Sequence, residues 1–172
     1  MVFMDGSNVY HGMKNYAVDV GQPSYRIDFQ KFVAQLVKGR TLIRAIYYCS
    51  KKIPPDAGQI EFVDYVRKCG IQVIEKPLKE RRDPATGAVV KRYEKGVDVA
   101  LATDLLGMAW EGVYDIGIIV SGDADYTEAV KRLMGKGRNI ELVSWRKSCS
   151  SELSKAALNT IYIDDFAQLV KL

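Results

Sequence analysis

Short apolar runs alternate along the chain with stretches that carry helical spacing. Val2–Met4 is apolar and stops abruptly at Asp5-Gly6-Ser7-Asn8. Over 28–38, Phe29, Phe32, Val33, Leu36 and Val37 share one helical face, with Asp28 as N-cap and Gly39 as stop. A buried strand is expected over 42–49, and a helix from Pro54-Pro55 to Cys69 that ends at Gly70. A third strand follows at 71–74. Asp83-Pro84-Ala85-Thr86-Gly87 is a turn between two charged arms, which predicts a projecting hairpin or loop. Beyond it come a helix over 97–110, an aliphatic strand over 116–120 and a helix over 126–134. The pattern ends with a strand over 139–143, a short helix near 151–158, a strand over 160–163 and a terminal helix. This alternation predicts an α/β fold, a mainly parallel sheet with right-handed crossovers and helices on both faces. In such sheets ligands bind beyond the carboxyl ends of the strands, where the strand order reverses.

That rule gives the acids their interest. One strand ends at Asp5, another at Ser121-Gly122-Asp123-Ala124-Asp125, and Asp98 begins the helix that feeds the latter strand. If the two strands are neighbours at the reversal, three or four carboxylates converge on one rim. Like charges held together repel and raise one another's pKa. A hard divalent cation relieves this, and Mg²⁺ favours carboxylate oxygens and retained water. Such a centre has what phosphodiester hydrolysis needs, without a histidine. Each piece alone also has an ordinary account. Asp5-Gly6 reads as a turn with Asn8 as a cap, Asp98 as a first-turn acid favoured by the helix dipole, and Asp125 as an N-cap. Asp104 lies six residues after Asp98, about 240° around the helix, and reads as a solvated or paired acid before an outer acid of the site.

Composition narrows the choices. A length of 172 residues suits one domain, and 48% hydrophobic with 27% charged residues is ordinary for a globular chain. No apolar run approaches a membrane span of about 18 residues, and the first residues read as a strand rather than a signal peptide. Three cysteines without metal-type spacing suit a reducing cytoplasm. The lone His11 all but removes histidine zinc sites and Ser-His-Asp or Cys-His catalysis. Net charge is only +4, but seven cations gather over 76–95: Lys76, Lys79, Arg81, Arg82, Lys91, Arg92 and Lys95. A phosphate-binding loop of the G-x-x-x-x-G-K type is absent.

Three blocks also resemble a known family. Val2-Phe3-Met4-Asp5-Gly6-Ser7-Asn8, then Lys95-Gly96-Val97-Asp98-Val99-Ala100-Leu101, then Ile119-Val120-Ser121-Gly122-Asp123-Ala124-Asp125-Tyr126 resemble the NYN domain (LabA-like) family of the PIN-like nuclease superfamily, in family order and across essentially the whole chain. The resemblance implies a three-layer α/β/α PIN-like (Rossmannoid) fold and metal-dependent ribonuclease activity. Position by position, it implies that Asp5, Asp98 and Asp123 bind metal. Asn8 matches the polar residue after the first acid, Asp125 the second acid of the last motif, and Asp104 an acid common in relatives. The basic segment over 76–93 lies outside the shared signature.

The combined expectation is a Mg²⁺- or Mn²⁺-dependent ribonuclease that prefers single-stranded RNA. Asp5, Asp98 and Asp123 hold the ion, with Asp125 as a direct or water-mediated ligand. Asn8 places a phosphate oxygen or the attacking water, and Ser121 and Asp104 are supporting candidates. Arg81, Arg82, Lys91, Arg92 and Lys95 track the RNA backbone. Tyr10, Tyr93 and Tyr126 stack on bases or pack in the core. The rival is a non-catalytic RNA-binding or regulatory module on the same fold. A haloacid-dehalogenase-type phosphatase is disfavoured by Ser7 where a second aspartate is needed, and a topoisomerase-primase-type site by the want of a glutamate near the first strand. No membrane partner is expected, and a homodimer is left open.

Overall fold

The structure, a computed structural model, describes the backbone of all 172 residues and every side chain except those of Lys91 and Arg92. Six strands form one wholly parallel sheet: β1 (Val2–Asp5), β2 (Ala45–Lys51), β3 (Gln72–Pro77), β6 (Ile116–Val120), β7 (Asn139–Ser144) and β8 (Asn159–Tyr162). Their order is β3-β2-β1-β6-β7-β8. The order reverses between β1 and β6, so the two acid-bearing strands are neighbours, which meets the condition the convergence of the acids required. A separate antiparallel pair, β4 (Lys79–Arg82) and β5 (Val89–Tyr93), forms the hairpin expected around the Asp83–Gly87 turn.

Side chains alternate between the two faces of each strand, as the pleat requires. Val2, Met4, Tyr47, Ile118 and Val120 join a core with α1 (Gly6–Asp19), α2 (Phe29–Val37) and α3 (Ala57–Lys68). Phe3, Ile46, Tyr48 and Ile119 join a second core with α4 (Val97–Trp110), α5 (Thr127–Gly135) and α6 (Ser151–Ala156). The sheet is therefore the middle of three layers. That is why its central strands are nearly all apolar, since water reaches neither face. Among the described residues no helix is long and apolar enough to cross a membrane.

Three local differences from the sequence reading have physical causes. The first helix went unrecognised because Gly6, Gly12 and a polar Ser-Asn pair look like a turn. Its core stripe, Val9, Met13 and Ala17, is nonetheless at i, i+4 and i+8. Gly12 is there because a Cβ would meet the Trp145 indole at 1.8 Å. The expected terminal helix is two short 3₁₀ turns, Ile163–Asp165 and Ala167–Val170, which tuck Ile163, Ala167 and Val170 into the first core. The second strand begins at Ala45 rather than Leu42, and Leu42 and Ile43 are exposed.

Candidate active site

Parallel pairing sets the geometry of the rim. Met4 is in register with Val120, so Asp5 stands level with Ser121, one residue beyond the end of β6. Asp5 is only 3% exposed. It is also the N-cap of α1: its Oδ1 accepts the Asn8 backbone N–H at 3.1 Å. Its Oδ2 accepts the Ser121 hydroxyl at 3.0 Å and lies 3.5 Å from the Tyr126 hydroxyl. The turn reading and the functional reading of Asp5 thus describe one side chain: capping fixes the carboxylate at the rim.

Asp98 arrives from the other layer. Gly96, in a left-handed conformation with φ 84°, starts α4 without a side-chain cap, so the dipole of its first turn is open to the Asp98 carboxylate. The Asp98 Oδ1 accepts the Tyr126 hydroxyl at 3.2 Å. Asp123 caps the 3₁₀ turn Ala124–Tyr126, its Oδ1 accepting the Asp125 N–H at 3.0 Å, while its own N–H donates to Ser121 Oγ at 3.1 Å. Ser121 is accordingly a relay between Asp5 and Asp123.

Electrostatics mark the same group. Burial pushes the Asp5 carboxyl above its ordinary range; the Asn8 and Ser121 hydrogen bonds pull it down, and the charges of Asp98 and Asp123 push it up again. Burial raises the Tyr126 phenol far above its usual value, with Asp5, Asp98 and Asp123 acting in the same direction. No ion pair among the described residues neutralises any of these acids.

The remaining candidates divide. Asn8 is placed between loops: its Oδ1 accepts the Gly122 N–H at 3.0 Å and lies 3.4 Å from Ser148 Oγ. Asp125 is exposed, and its backbone N–H, not its carboxylate, joins the network. Asp123, not Asp125, is the N-cap. Asp104 accepts the Tyr48 hydroxyl at 2.9 Å, the paired state among the readings its helix position allowed. Tyr126 is 1% exposed, so it packs and cannot stack on a base; Tyr10 and Tyr93, 45% and 41% exposed, remain accessible.

The hairpin leaves the sheet from the carboxyl end of β3 and leads directly into α4, the helix that carries Asp98. Arg81 and Lys95 are exposed and make no ion pair with the described residues, whereas Arg82 is held by Glu80 at 2.6 Å. The Lys91 and Arg92 side chains lie outside the described residues. Sequence reading missed Ser148 and the tight seat of Gly122. Ser148 has no signal, being a loop serine brought in by the fold, whereas Gly122 sits inside the acidic motif itself.

Among the described residues no three acidic, histidine or cysteine side chains already close around one point. The cup of three or four carboxylates expected from sequence is therefore a linked pair, Asp5 and Asp98, with Asp123 in electrostatic range. This set still suits a hard cation. Mg²⁺ is commonly held by one or two carboxylates with retained water and substrate phosphate, and a buried carboxylate lacking a cationic partner calls for positive charge.

A parallel sheet between two layers of helices, with acids at its switch point that no ion pair among the described residues neutralises, defines the class as a three-layer α/β/α protein with an acidic rim. The NYN domain model matches residues 1–164, and the chain belongs to the NYN domain family. Membership in this family, part of the PIN-like nuclease superfamily, supports a ribonuclease-type function. The chain is 29% identical over 132 residues to the low amplitude and bright protein LabA of Synechococcus elongatus, a match covering 76% of this chain and 67% of that protein. Its fold resembles the crystal structure of a protein of unknown function from Vibrio parahaemolyticus, with a TM-score of 0.74, 24% identity, and coverage of 99% of this chain and 94% of that one.

Proposed function

We propose that this protein is a Mg²⁺- or Mn²⁺-dependent endoribonuclease that hydrolyses phosphodiester bonds in single-stranded RNA, acting in the cytoplasm as a single domain with the 76–95 hairpin as an insertion. The observation that carries the proposal is Asp5: buried, without a cationic partner among the described residues, and separated from Asp98 by one hydroxyl, that of Tyr126, at the switch point. Asp5, Asp98 and Asp123 would hold the ion, with Asp125 reaching it through water. A divalent ion there supplies positive charge against that developing on the phosphate and makes water more acidic.

The chain's own groups do the rest. Ser121 keeps the Asp5 carboxylate oriented. With the oxygen of Asn8 committed to Gly122 and Ser148, its NH₂ is the end left for a phosphate oxygen or the attacking water. Arg81 and Lys95, with Arg82, Lys91 and Arg92 of the same segment, would follow the RNA backbone without reading sequence. Exposed Tyr93 on the hairpin and Tyr10 on α1 offer faces on which unpaired bases stack, the basis for the single-strand preference.

The test is cleavage of a mixed RNA substrate by purified protein in Mg²⁺, in Mn²⁺ and in EDTA. Cutting should require the metal and should fall by at least 100-fold in Asp5→Asn and Asp123→Asn. Activity equal in wild type and both variants refutes the assignment. RNA binding without cutting, in every metal, favours the non-catalytic module instead.

A further inference from the structure

Asp98 reaches the site on the first turn of a helix from the opposite layer to α1, and its carboxylate is exposed. Among the described residues it has one hydrogen-bond partner, the hydroxyl of Tyr126. Asp5, by contrast, is fixed twice without Tyr126, by Asn8 N and Ser121 Oγ; the Tyr126 hydroxyl, whose single proton goes to the nearer Asp98 oxygen, lies 3.5 Å from it. Two uncompensated carboxylates repel, so an exposed aspartate with free rotamers turns away unless something holds it. The Tyr126 ring is in a position to do so, because it is 1% exposed and belongs to the core containing Leu101, Val130 and Leu153. Packing fixes the ring, and the ring fixes the oxygen.

We propose that Tyr126 is a positioning residue for ion capture: its hydroxyl holds the Asp98 carboxylate turned toward Asp5 before a divalent cation arrives. This rests on the metal-dependent reading of the same site and adds a role that the acids alone do not supply. Holding the free protein in the geometry of the bound one removes an ordering cost from binding. Removing the hydroxyl while keeping the ring should therefore loosen the ion and leave the core intact.

The experiment is a double-mutant cycle read by Mn²⁺ binding, using the electron paramagnetic resonance signal of free Mn²⁺ titrated with protein, with no RNA present. Tyr126→Phe should bind Mn²⁺ about tenfold more weakly than wild type, the worth of one hydrogen bond. In the Asp98→Ala background Tyr126→Phe should have no further effect, because the group it positions is gone. A general structural role would instead add its loss in both backgrounds. Thermal melting in EDTA verifies that Tyr126→Phe folds; if it does not, Tyr126→Leu, which fits within the space of the buried ring and places no hydroxyl there, takes its place in the cycle. Equal Mn²⁺ affinity in wild type and Tyr126→Phe, or additive losses in the cycle, overturns the proposal while leaving the nuclease reading intact. Failure of the wild type to bind Mn²⁺ removes both.

Discussion

Alanine in place of Gly122 puts one methyl group where the structure has no room for it. An ideal Cβ there lies 2.0 Å from the Ser148 carbonyl oxygen, 2.5 Å from its carbon and 2.9 Å from Ser144 Oγ. Two of the three neighbours are backbone, so no side-chain rotation relieves the clash. The segment after β7 must move, and with it the hydrogen bond from Ser150 N to Gly122 O (2.9 Å) and that from Gly122 N to Asn8 Oδ1 (3.0 Å). Overpacking costs about 1–3 kcal/mol and each weakened hydrogen bond about 0.5–1.5 kcal/mol, so a loss of about 3 kcal/mol is expected. For a chain of this size each kcal/mol shifts the melting temperature by about 2–4 °C, which gives a fall of about 6–12 °C. Gly107→Ala is the counterpart: it lies inside α4, and a Cβ there meets nothing within 4 Å. It should gain about 1 kcal/mol from helix propensity and melt about 2–4 °C higher. Circular-dichroism melts of both variants in EDTA, which removes any metal contribution, decide the matter. A Gly122→Ala melting point within about 2 °C of wild type refutes the packing argument by the same conversion.

Two further outcomes follow from charge and burial. Burial pushes the Cys49 thiol up to about 12, with Glu75 and Glu94 acting the same way. A higher pKa means fewer thiolates at a given pH, so at pH 8 native Cys49 should alkylate roughly 1,000-fold more slowly than a cysteine of ordinary pKa, quickening only as the pH climbs toward 12. Mass spectrometry of iodoacetamide-treated protein reads this, and labelling of Cys49 at the rate of the denatured chain counts against it. On the hairpin, Arg81→Ala should weaken RNA binding alike for all sequences and reduce the slope of log affinity against log salt by about one. Fluorescence polarisation across about 50–200 mM salt measures the slope; an unchanged slope removes Arg81 from the RNA path.

The layers were legible because strands covered on both faces must be apolar throughout, and Ile116–Val120 and Ala45–Cys49 are; that β1 and β6 are neighbours was a condition that only the strand order meets. The location of the acids followed from the topological rule once the strands were placed. Their mutual arrangement did not. Whether Asp98 meets Asp5 depends on the tilt of α4 against the sheet, which no local pattern encodes. The bridging part of Tyr126 was hidden for a related reason: a tyrosine after Asp125 looks the same whether its ring faces solvent or core. Helix α1 was lost because Asp5-Gly6-Ser7-Asn8 has the composition of a turn, although it serves as a cap. Ser148 and Asn8 lie 140 positions apart, and only the folded sheet makes them partners.

The acids of the candidate centre come from three segments that the chain delivers at widely spaced moments. Asp5 leads, Asp98 follows the hairpin, and Asp123 waits until β6 has docked on β1. No fragment ending before that strand owns a complete centre, and a misfolded chain owns none. Under the nuclease reading proposed above, such a centre would be its own safety catch: during synthesis it would stay inert toward the message that encodes it, and whatever unfolds it would also disarm it.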